Sequence, residues 1–96
     1  MSLSQSSRPA DALASAIDHL AAGQWQQAHE IVQKQDSALA AWLHGIVHIL
    51  EGDLSNAQGW YRRANRPFPG GGAATAEIAE ARVAVQSMAR DGRISG

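Results

Sequence analysis

The chain contains no cysteine. Disulfides, thiolate nucleophiles, cysteine-based zinc sites and iron–sulfur clusters are therefore excluded. An excess of charge of one sign is also missing. Eight lysines and arginines stand against nine acids, for a formal net charge of −1 with neutral histidines. Such a balance creates no general attraction to nucleic acid or to an anionic membrane surface. No apolar run approaches the length of a membrane span, and the opening MSLSQSSRPADA lacks the apolar core of a signal peptide. A cytoplasmic protein without membrane association is the expectation. Alternating β-branched runs are absent as well, so nothing competes for a strand.

What is present is ordinary globular material. Hydrophobic residues make up 45% and charged residues 18% of the 96 positions, enough to fold one domain around a single modest core. Residues 1–8 read as a polar tail. Pro9 suits a first helical position, and Leu13, Ile17, Leu20 and Ala21 then recur on one face as far as Gly23, a plausible left-handed stop. Trp25, Ala28, Ile31 and Val32 form the stripe of a short second helix. Asp36 is placed to cap a third helix ending at Gly52, and Asp53 to cap a fourth through WYRRA. NRPFPGGG breaks the helical pattern. A fifth helix over 74–91 carries Ile78, Ala81, Val85 and Met88, with Gly92 beyond its end.

Two junctions share a pattern. AAGQWQQAHEIV (21–32) and LEGDLSNAQGWY (50–61) both read Gly-x-apolar-x-x-Ala, followed four places later by an apolar or aromatic residue. The glycine permits a tight turn, and the alanine lets the second helix cross close to the first. On these residues the chain resembles the tetratricopeptide repeat. The match is best where Gly45, Gly52, Asp53, Ala57, Tyr61, Ala64 and Pro69 follow the family's order of small, aromatic and proline positions. Gly23, Ala28 and Val32 match in the first unit. Ala28 and Ala57 lie 29 positions apart, against a usual period of about 34. The run from Trp42 to Ala64, WLHxxxHxxEGDLxNAxxWYRRA, also resembles a family of small uncharacterised bacterial proteins, which implies a helical fold and a bacterial, cytoplasmic setting. The expected architecture is all-α: two stacked tetratricopeptide-like hairpins, 9–35 and 36–66, a linker at 67–73 and a C-terminal covering helix.

Angular spacing on the third helix gathers Leu39, Trp42, Leu43, Ile46, Ile49 and Leu50 on one face and His44, His48 and Glu51 nearly opposite. The hairpin pattern instead turns His44, Gly45 and His48 towards Ala57 and Tyr61 and leaves Trp42 and Ile46 in an apolar groove. Both hold if the third helix is covered on two sides, with Ile78, Val85 and Met88 packed on Trp42 and Ile46. The histidines then hydrogen-bond Tyr61, Asn56 or Glu51.

His44, His48 and Glu51 also have the spacing to meet one divalent ion such as zinc from a single helix. Gly45 stands where a zincin carries its glutamate base. No nucleophile or oxyanion hole lies nearby, so catalysis is not expected. His19 and His29 have no acidic partner at metal spacing. Arg62, Arg63 and Arg66 alternate with Trp60, Tyr61 and Phe68, which suits single-stranded nucleic acid but equally a helix C-terminus with core aromatics. The leading expectation is a protein-interaction or scaffold module. It would self-associate as a dimer or dock a peptide through Trp42, Ile46, Arg62, Arg63 and Arg66. A metal- or small-ligand-binding protein, with hydrolysis as an extension of that role, is the alternative, and nucleic-acid binding through 60–66 a minor third.

Overall fold

Three helix ends are built the same way. Gln24 N–H donates to the His19 carbonyl at 2.8 Å, Asp53 N–H to that of His48 at 2.9 Å, and Arg66 N–H to that of Tyr61 at 3.0 Å. Before each donor sits a residue in the left-handed region: Gly23 (φ 78°), Gly52 (φ 90°) and Asn65 (φ 62°). This six-to-one bond closes a helix while reversing the chain. The two glycines carry out the turns expected of them. Asn65 is a third stop, in a residue type that tolerates this conformation.

The computed structural model describes residues 9–94, with side chains as far as Met88; the polar tail 1–8 lies outside the described residues. Five helices and no strand occur among them: α1 (Pro9–Ala21), α2 (Trp25–Val32), α3 (Ala38–Glu51), α4 (Leu54–Arg63) and α5 (Ala74–Ile94). Ser37, rather than Asp36, caps α3. Its backbone is extended and its Oγ accepts from Ala40 N–H at 3.1 Å, the reach an N-cap oxygen has. Asp53 caps α4 by accepting from Asn56 N–H at 3.3 Å. Helix α5 runs through Gly92, because an interior glycine only weakens a helix by about 1 kcal/mol.

Helix α3 is the axis of the fold. It packs against α1, α2, α4 and α5, and every residue from Ala40 to Ile49 is buried. Helices α2 and α4 lie along it without packing on each other, while α5 closes over α3 and α1. The hairpin alanines Ala28 and Ala57 are fully buried. On α5, Ala81 and Val85 are buried, and Ile78 and Met88 pack against the same core.

Covering by α5 changes the standing of two residues. Trp42 and Ile46 are 3% and 0% exposed, so they belong to the core and not to an interaction surface. Glu77 pins the cover. One carboxylate oxygen accepts from Trp42 Nε1 at 2.9 Å and from the Tyr61 hydroxyl at 2.7 Å. Burial, and then the Glu77 carboxylate, push the Tyr61 phenol well above its ordinary range. Arg66 stacks on Trp42, its guanidinium carbon 3.5 Å from the ring centroid, and reaches Glu80 at 3.6 Å.

A Cβ on Gly45 would lie 2.5 Å from Cδ1 of Tyr61. Gly45→Ala is expected to lower stability by about 2 kcal/mol in denaturant titration, through overpacking, although alanine is the better helix former; an unchanged midpoint contradicts this packing. Glu77→Ala removes the shared acceptor and strands a buried hydroxyl. A loss of about 2–3 kcal/mol is expected, and Tyr61→Phe in the same background should recover part of it.

Candidate functional site

On the face of α3 opposite the cover, three imidazoles meet. His44 and His48, one turn apart, are 6% and 8% exposed. His29 arrives from the last turn of α2. The ring centroids of His29 and His44 are 4.7 Å apart, those of His44 and His48 5.2 Å, and those of His29 and His48 5.6 Å. One ring nitrogen from each lies within 4.8 Å of the others. Along the sequence His29 has no acidic partner at metal spacing, so spacing on α2 alone does not mark it.

Glu51 has a different place. Its Oε1 lies 2.7 Å from His48 Nδ1. A carboxylate accepts and does not donate, so Nδ1 carries the proton of this bond and Nε2 is the nitrogen left for a ligand. His44, His48 and Glu51 do not converge as one trio. Among the described residues, the groups that do are His29 with His44 and His48, and His48 with Glu51 and Asp53. Neither Tyr61 nor Asn56 bonds the histidines: Tyr61 donates to Glu77, and Asn56 to Asp53. Among the described residues, the ring nitrogens of His44 have no hydrogen-bond partner.

Trp60 covers His44, with ring centroids 3.7 Å apart and planes within 8°. Arg63, one turn further along α4, holds its guanidinium carbon 4.6 Å from the Trp60 centroid. Burial, and then the neighbouring His29, His48 and Arg63, push the His44 imidazole down to about 4. At neutral pH it is uncharged and its lone pair is free for a ligand. The arginines do not form one patch: Arg62 is exposed, Arg63 lies on Trp60 and Arg66 on Trp42. The aromatic rings of this segment are engaged internally: Trp60 stacks on His44, and Tyr61 and Phe68 meet edge to face.

The low value at His44 sets a pH dependence for the metal-free protein. An imidazole that titrates near 6.5 when unfolded and about 4 when folded leaves the unfolded chain binding more protons between those values. Stability is full above pH 6.5 and falls as pH drops towards 4, by up to about 3 kcal/mol. Urea titrations in chelator across this range should show the fall, and His44→Gln should flatten it.

No protein-family model, curated protein or solved structure matches the chain.

Proposed function

We propose that the protein binds a divalent transition metal, zinc or a close analogue, through His29, His44 and His48. The observation that carries this reading is the convergence of three imidazole nitrogens, from two helices, within 4.8 Å. Ligands of a tetrahedral zinc with bonds of about 2.0–2.1 Å stand about 3.3 Å apart, so binding draws the rings together by up to about 1.5 Å. Two further features support it. Glu51 orients His48 as outer carboxylates orient zinc-bound histidines, and His44 is held neutral, the form a ligand requires. Three nitrogen ligands leave a coordination position open.

A helical interaction module is the second reading. It is favoured by the two-hairpin architecture and by Arg62 and Arg63 exposed along α4.

Calorimetric titration of chelator-stripped protein with zinc should show about one site, as a single three-histidine centre requires. His29→Ala, His44→Ala and His48→Ala should each abolish it. Glu51→Gln should weaken it about tenfold without abolishing it, and His19→Ala should leave it unchanged. If Glu51→Gln abolishes binding while His29→Ala has no effect, the ligand set is the one-helix trio His44, His48 and Glu51. Absence of zinc binding by the wild type leaves the interaction module.

A further inference from the structure

Beside His44, residues of α2, α3, α4 and the α2–α3 turn line a cleft of about 330 Å³, a size that suits a small ligand. Ala40 and Ala41 form part of its floor, and His44, Trp60, Ser37 and Arg63 line it. His44 therefore touches both the imidazole cluster and the cleft. Only 6% of the residue is exposed, yet no buried side-chain nitrogen or oxygen among the described residues is left without a partner, so the unpaired ring nitrogens of His44 open to solvent and are within reach of a ligand.

The charges around the cleft point to the kind of ligand. Arg63 is held over Trp60, and among the described residues no carboxylate pairs with it; the arginine ion pairs there are Arg66–Glu80 and Arg82–Asp18. Asp36 is the one acidic residue lining the cleft. Arg63 and Asp36 offset each other, so the bare cleft has little net charge to hold an anion. A divalent ion on the histidines changes this balance. It adds two positive charges next to His44 and needs a ligand beyond the three nitrogens. The start of α3 at Ser37 adds the positive end of a helix of 14 residues.

We propose that the cleft binds a small oxyanion, a carboxylate or phosphate group, only when the histidine trio holds a metal. One oxygen completes the metal's coordination, and Arg63 supplies the counter-charge. The inference rests on the metal reading given above and adds the ligand class and the residue that recognises it.

Cobalt(II) is the probe, because its visible absorption reports the ligands around it. Acetate and inorganic phosphate are titrated separately into cobalt-loaded protein, while calorimetry follows the same titrations with metal-free protein. A saturable change in the cobalt spectrum, with no binding to metal-free protein, is expected for at least one anion. The stronger of the two identifies carboxylate or phosphate as the natural group. Arg63→Gln, with its cobalt occupancy verified, should weaken that anion by about tenfold or more. Cobalt binding with no response to either anion overturns the inference and leaves the metal site standing. Equal anion affinity with and without cobalt, or no effect of Arg63→Gln, overturns it as well. Failure of the wild-type protein to bind cobalt removes both readings.

Discussion

The ring of Tyr61 occupies the space that any side chain at position 45 would need, and the rest of the molecule is arranged around that close approach. Because residue 45 is glycine, α4 settles directly on α3 and buries Tyr61 almost completely. The same approach brings the preceding residue, Trp60, flat against His44 on one side of the hairpin. On the other side it carries the Tyr61 hydroxyl to Glu77 of the covering helix. One tyrosine thus couples the imidazole cluster to the cover.

Polar chemistry is divided between the two sides of α3. Beneath α5, Glu77 satisfies both Trp42 and Tyr61 with a single oxygen, so the buried donors of that side are spent on structure. On the α2–α4 side, His48 is tied to Glu51, while His44 keeps its nitrogens free. A buried group normally finds a partner within the protein. On this side the unpaired nitrogens of His44 are not closed off from solvent, and His44 lines the cleft.

Closure of the apolar groove also limits how the fold interacts with others. Apart from Leu54 and Val83, no large hydrophobic side chain among the described residues is exposed. Arg66 lies across Trp42 and Arg63 across Trp60, so two of the three arginines that alternate with aromatic residues in the sequence serve as caps on those same rings. Among the described residues, no helix is long and apolar enough to cross a membrane.

Much of the architecture was legible from local rules. Helical periodicity, the left-handed stops at Gly23 and Gly52 and the Asp53 cap depend on residues within about one turn of each other, and they place the five helices and their turns. A central α3 followed from its two opposed faces, one apolar and one bearing histidines. Where local rules offered near-equal choices they misplaced details, as with Asp36 against Ser37 and the helix end at Gly92. The site was legible in half. His44 and His48 share a helix face by spacing alone, but His29 joins them across a helix contact, and no periodicity along α2 can reveal which of its residues meets α3. Glu77 was invisible for the same reason, since its partners Trp42 and Tyr61 lie 35 and 16 residues away. Spacing along the chain determined which side chains share a surface. Only the packing of helices on one another decided which surfaces meet, and with them the third histidine, the carboxylate that closes the core and the cleft left open beside His44.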